Sequence, residues 1–158
     1  MWERRPRRDT LFRDVDVAPT KSFAATGRSN ERLAMEFLND EQFKVLSNPG
    51  VISTQLLSPH NSLSERVTLT RVVVAPGAVQ KRHTHASSEQ IWIAVEGRGT
   101  LLLADEATHP IAAGDVVRFA DGDVHGFIND SEADFVYLSV TSPPINFSYA
   151  YKQEGAVR

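Results

Sequence analysis

The sequence predicts an all-β fold, an antiparallel sandwich or barrel, on three observations. Short runs rich in β-branched and aromatic residues recur from about residue 50 onward. Gly- and Asp-rich turns separate them. Strands do not alternate with helical segments, which a parallel sheet would require. The runs are residues 51–57, 66–74, 90–95, 100–103, 115–119, 125–128 and 135–140, with turns at 75–78, 96–99, 113–115 and 120–123. Ahead of them, residues 1–30 lack sustained periodicity and contain Pro6, Pro19 and Gly27, which predicts an irregular arm. A short helix is expected over residues 30–39, with Asn30 as N-cap and Leu33, Met35, Phe37 and Leu38 as its apolar contacts. Behind the runs, Pro143 and Pro144 stiffen an aromatic tail, expected to pack on the barrel or on a partner subunit. The expected organisation is therefore an arm and short helix over 1–45, a β-barrel over 46–142 and a tail over 143–158.

Bulk properties narrow the chemistry. A chain of 158 residues with 41% hydrophobic and 23% charged content reads as one globular domain. It has no cysteine, which removes disulfides, thiolate metal sites and cysteine nucleophiles together. Histidine, carboxylate and amide are left as ligands. No run approaches the roughly 18 apolar residues of a membrane helix, and no signal-peptide pattern opens the chain. A cytoplasmic protein is expected, with no membrane partner. Net charge is −3 but uneven: residues 1–30 carry seven Lys/Arg against four Asp/Glu, and the remainder ten against sixteen. That acidic body argues against nucleic acid as a partner, despite Arg4, Arg5, Arg7 and Arg8.

Chemistry concentrates in K81-R-H-T-H-A-S-S-E-Q90. His83 and His85 lie one residue apart, so on an extended strand both point to one face and can reach the same ion. Such a pair alone is a weak signal, and its surroundings strengthen it. Gly77 stands six positions before His83, and Gly97 seven after Gln90. Further on, Gly114, Gly122, His125 and Asn129 follow at set intervals. This arrangement resembles the cupin superfamily, whose two motifs are G-x5-H-x-H-x3,4-E-x6-G and G-x5-P-x-G-x2-H-x3-N. The likeness covers about residues 66–140. Residues 98–113, between the motifs, read as short and turn-like. Ala120 stands where the second motif has proline.

The acidic position of the first motif is the puzzle. Counting forward from His85, Glu89 and Gln90 both qualify; counting back from Gly97 selects Gln90. Strand alternation gives a second test. With Gln90 inward, Trp92 and Ala94 point inward too, and Ile91, Ile93 and Val95 face out. With Glu89 inward, the aliphatics line the core instead. The glycine spacing favours Gln90, and Glu89 remains the alternative. A neutral amide leaves the charge of a divalent ion undiminished, which favours an anionic, oxygen-chelating substrate.

The resemblance implies a double-stranded β-helix, or jelly-roll, barrel and one divalent transition metal (Mn, Fe, Ni or Zn) on His83, His85, Gln90 and His125. It also implies a homodimer, compatible with the aliphatic runs 91–95 and 72–74. A metal-dependent enzyme on a small organic acid or sugar-derived substrate follows, by isomerase, lyase or dioxygenase chemistry. The alternative is a metal-bearing binding protein without turnover. Tyr137 and Glu89 are the candidate catalytic residues, with Arg118 a further candidate for proton transfer. Trp92, Phe127, Lys81 and Arg118 are candidates for the substrate pocket. His60 and His109 are expected at the surface, and Asn129 is expected to brace the turn after His125.

Overall fold

A computed structural model describes residues 35–150 of the chain. It contains ten strands: β1 Lys44–Asn48, β2 Val51–Leu57, β3 Thr68–Val74, β4 Val79–His83, β5 Glu89–Glu96, β6 Arg98–Leu103, β7 Thr108–Ala112, β8 Val116–Phe119, β9 His125–Ile128 and β10 Phe135–Ser142. They form two antiparallel sheets, one ordered β1-β2-β3-β10-β5-β8 and the other β4-β9-β6-β7. All seven runs read from the sequence are strands.

The first half of the expected helix over residues 30–39 lies outside the described residues. Its described part, from Met35, is not helical. Asn39 instead caps a single 3-10 turn, Asp40–Gln42, accepting a hydrogen bond from the Glu41 N–H. Three strands had no apolar run to announce them. β1 buries only Leu46, β7 buries only Ile111, and β4 buries no residue fully. β1 and β7 are edge strands, where one buried side chain suffices. Pro110 is tolerated within β7 for the same reason. Residues 98–113 are accordingly not a turn but most of a hairpin, β6 and β7 paired from Arg98↔Ala112 to Leu102↔Thr108. His109 sits on β7 with its side chain exposed.

The core lies between the two sheets. Val74, Trp92, Phe135 and Tyr137 from the larger sheet meet Leu101, Ile111 and Phe127 from the smaller. Phe127 stacks on Phe135 at 4.4 Å between ring centroids, and Trp92 lies 4.3 Å from Tyr137. Such aromatic contacts add about 0.5–1.5 kcal/mol each beyond area burial. Asn129 is fully buried and braces the loop after β9. Its amide donates to the carbonyls of Val74 and Ala133, each at 2.8 Å, and its Oδ1 accepts from Ser131. Val72 and Val74 belong to this core, so of the run 72–74 only Val73 remains on the outer face. Among the described residues no helix is long and apolar enough to cross a membrane.

Candidate metal centre

Three histidines converge beside a cavity of about 690 Å³, lined by the inner face of the six-stranded sheet and by β4. His83 ends β4 and is the direct cross-strand partner of His125, the first residue of β9. Their ring centroids are 4.4 Å apart. His85 follows in the loop, 5.0 Å from His83 and 5.2 Å from His125. A ligand nitrogen from each ring can be chosen so that all lie within 4.8 Å of one another.

The second motif holds this loop in place. Gly122 donates its N–H to the His85 carbonyl at 2.8 Å, from a turn in which it adopts φ +82. A side chain there would be strained. Ala120, in the proline position, is stiffened differently: its N–H donates to Asp123 Oδ2 at 2.7 Å. Gly97 also has positive φ, and a Cβ on it would meet the Asp134 carbonyl oxygen at 2.3 Å. His125 is packed face-on against Phe119, at 4.2 Å, with Trp92 edge-on at 5.7 Å.

Burial sets the charge of the cluster. It pushes His125 down from the usual 6.5 to about 4, helped by the neighbouring His83 and opposed in part by the Asp123 carbonyl. His85 is lowered for the same leading reason, burial, and then by His83. Both rings are neutral at physiological pH, the state in which imidazole ligates metals.

The hydrogen bonds then create a conflict. His125 Nδ1 lies 3.0 Å from the Asp123 carbonyl, and its Nε2 lies 2.8 Å from Gln90 Oε1. Both partners are acceptors, yet a neutral imidazole has one N–H. The Gln90 amide nitrogen lies 2.9 Å from Ser139 Oγ and 3.3 Å from Thr141 Oγ1. These hydroxyls accept from it in this orientation and would donate to the amide oxygen if the group were turned over, which is one resolution. With Nδ1 donating to the backbone and the amide in its present orientation, two lone pairs face each other at 2.8 Å. A cation held by both is the other resolution, and the spacing suits it: adjacent ligands with bonds of about 2.1 Å at right angles are about 3.0 Å apart. His83 Nδ1 makes the equivalent backbone contact to the Lys81 carbonyl at 2.9 Å, freeing its Nε2. His85 Nε2 is buried with no hydrogen-bond partner. The donor set fits a divalent metal.

The other expected site residues divide. Gln90, Trp92 and Ala94 are buried on the inner side of β5, while Ile93 and Val95 are exposed. Trp92, Tyr137 and Lys81 line the cavity, Lys81 with its side chain exposed. Tyr137 is buried, and its hydroxyl donates to Gln80 Oε1 at 3.1 Å. Three expectations are corrected. Glu89 and Arg118 form an ion pair with each other on the outer face of the sheet, the side opposite Gln90, because successive residues of a strand point to opposite faces. Glu89 therefore cannot serve a reaction in the cavity, and Arg118 does not line it. Phe127 is packed into the aromatic core, away from the cavity wall. The sequence reading missed Ser139 and Thr141, which fix the Gln90 amide. Their signal was parity: in F135-V-Y-L-S-V-T they share the core-facing side with Tyr137, where apolar residues are the rule.

Residues 70–141 match the family model of the cupin domain. The barrel is a cupin. The chain is 25% identical over 115 residues to an uncharacterized protein of Methanocaldococcus jannaschii, covering 71% of this chain and 91% of that protein. A sugar phosphate isomerase of the cupin superfamily from Silicibacter pomeroyi superimposes with a TM-score of 0.53 at 29% identity, covering 60% of each chain. A predicted oxalate decarboxylase from Thermotoga maritima is similar at a TM-score of 0.55 and 25% identity, over 64% of this chain and 91% of that one.

Proposed function

We propose that this cupin holds one divalent transition metal on His83, His85, Gln90 and His125 and acts on a small organic acid or sugar-derived substrate by isomerase or lyase chemistry. The convergence of His83, His85 and His125, with ligand nitrogens within 4.8 Å of one another, carries the metal assignment, and Gln90 Oε1 lies 2.8 Å from His125 Nε2. A bound divalent ion would supply Lewis acidity, polarising a carbonyl and stabilising negative charge that develops beside it. The remaining roles fall to the chain. Ser139 and Thr141 hold the Gln90 carbonyl oxygen toward the histidines, and Phe119 and Trp92 fix the His125 ring. Lys81, at the cavity wall, attracts a substrate carboxylate. Tyr137 is the phenol placed to hold or move a proton, with its O–H on Gln80 Oε1. No carboxylate of the described residues lines the cavity, so a reaction driven by polarisation is favoured over one driven by a carboxylate base. Similarity to a sugar phosphate isomerase supports this reading. The carboxylate-free lining also favours a second reading, metal-dependent binding without turnover.

The reading extends to the outer face of the larger sheet, where exposed Ile52, Ile93, Val95 and Val116 suit a second copy of the chain. The deciding experiment is elemental analysis of untagged protein, followed by activity assays on hydroxy acids, keto acids and sugars. Near-stoichiometric Mn, Ni or Zn with isomerisation or elimination is the expected result. Iron with substrate-dependent O₂ uptake would move the assignment to a dioxygenase. Protein that is metal-free and refuses added metal would overturn the site.

A further inference from the structure

The cavity has a second polar region that the histidine cluster does not use. On the inner face, Gln55 of β2 is the cross-strand partner of Thr70 of β3. Thr70 pairs with Ser139 of β10, and Ser139 with Trp92 of β5. These four residues form one transverse row, and all four line the cavity. Toward its β5 end the row meets the candidate metal centre, because Ser139 accepts a hydrogen bond from Gln90 and Trp92 lies edge-on to His125. The other end is Gln55, fully buried, with neither Nε2 nor Oε1 hydrogen-bonded. Thr70 Oγ1 and Trp92 Nε1 are likewise buried and unpartnered. A buried amide lacking partners costs stability, and a strand can avoid that cost with Leu or Val. Gln55 is therefore placed at a stability cost that a ligand can offset.

The chemistry of the row selects the ligand. An amide offers a donor and an acceptor side by side, which two neighbouring hydroxyls match. A carboxylate would meet the acceptor oxygen as well as the donor. Lys44, the cross-strand partner of Gln55 on β1, does not line the cavity, and the cations that do, Lys81 and Arg82, enter it from β4 in the other sheet. Arg82 is moreover committed to the Leu103 carbonyl and to Glu106. A second anionic group beside Gln55 would face the amide oxygen with no cation of the larger sheet lining the cavity. We propose that Gln55 and Thr70 bind a pair of neighbouring hydroxyls on the part of the substrate remote from the histidines, so that the ligand is a polyhydroxylated compound and not a dicarboxylate. The metal-side orientation of that ligand rests on the functional reading above.

The test compares gluconate with 2-hydroxyhexanoate. Both carry an α-hydroxycarboxylate on six carbons, and only gluconate carries the remote hydroxyls. Binding is measured by calorimetry on the full chain, with and without added Mn²⁺, for wild type, Gln55→Leu and Gln55→Met. The wild type is expected to prefer gluconate by about tenfold or more, the value of one or two well-made hydrogen bonds. Gln55→Leu and Gln55→Met lose that preference while keeping the Mn²⁺ electron paramagnetic resonance signal and an equal or higher melting temperature. A purely structural Gln55 would instead lower the melting temperature and leave the preference intact. Equal affinity of the two acids for wild type, or a preference that survives both substitutions, overturns the proposal. Failure of Mn²⁺ to bind overturns the metal reading alone, because the gluconate preference is still read in its absence.

Discussion

The two faces of the six-stranded sheet depart in opposite ways from the usual partition of polar and apolar residues. Its inner face buries Ser53, Gln55, Thr68, Thr70, Gln90, Ser139 and Thr141, while its outer face exposes Val45, Ile52, Ile93, Val95 and Val116. Hydrophobic burial alone would put aliphatics in place of those inner polar residues and polar residues in place of the outer aliphatics. Only part of the inner face is apolar, around Val74, Trp92, Phe135 and Tyr137, where the two sheets close on each other. The inner polar residues are thus arranged around something other than the core, and the outer aliphatics are not needed to hold the barrel together. On the proposed reading the inner face serves a ligand and the outer face a second copy of the chain.

The sharpest way to break this comparison is to remove an inner group with no substitute. His125→Ala is expected to weaken Mn²⁺ or Co²⁺ binding by more than about a hundredfold and to abolish any turnover, read by metal titration and assay. The next effect is on stability. Unfolded His125 titrates near 6.5 but folded His125 near 4, so the unfolded chain takes up the proton first as pH falls. Stability present above pH 6.5 is therefore lost between about 6.5 and 4, by about 3 kcal/mol for this group. His85 acts in the same direction. Urea denaturation of metal-free protein at stepped pH measures it, and a flat profile across that window would contradict a buried neutral His125. Third, Ser139→Ala frees the Gln90 amide and is expected to weaken metal binding by roughly tenfold, with the fold intact by circular dichroism. Smallest is the outer face. Ile93→Thr should change monomer stability by no more than about 0.5–1 kcal/mol. Sedimentation should nevertheless show weaker self-association, and unchanged association would remove the outer face from the proposed dimer.

These two faces also explain what could be read in advance. The long strands were legible because their composition is β-branched and aromatic, and the site histidines because glycines at fixed distances framed them. Gly122 illustrates the link, since its backbone N–H reaches the His85 carbonyl. The choice between Glu89 and Gln90 was open to counting alone; apolar content favoured Glu89 inward, and the structure shows why that signal misled. On this sheet the aliphatic side of β5 is the outer one. β1, β4 and β7 went unread because pairing supplies their stability and few of their side chains are buried. Gln55 and Thr70 went unread because nothing local distinguishes a polar residue facing a cavity from one facing water. Only the register with Ser139 and Trp92 places them beside the centre.

The pairing of His83 with His125 has a consequence in time as well as in space. The two residues belong to separate motifs and meet only when β4 closes on β9. Contacts between distant parts of a chain form slowly, because the intervening loop must first be ordered. The ligand set is therefore complete only after the barrel has closed. On the proposed metal site, the rate of metal capture during refolding would serve as a clock for that closure.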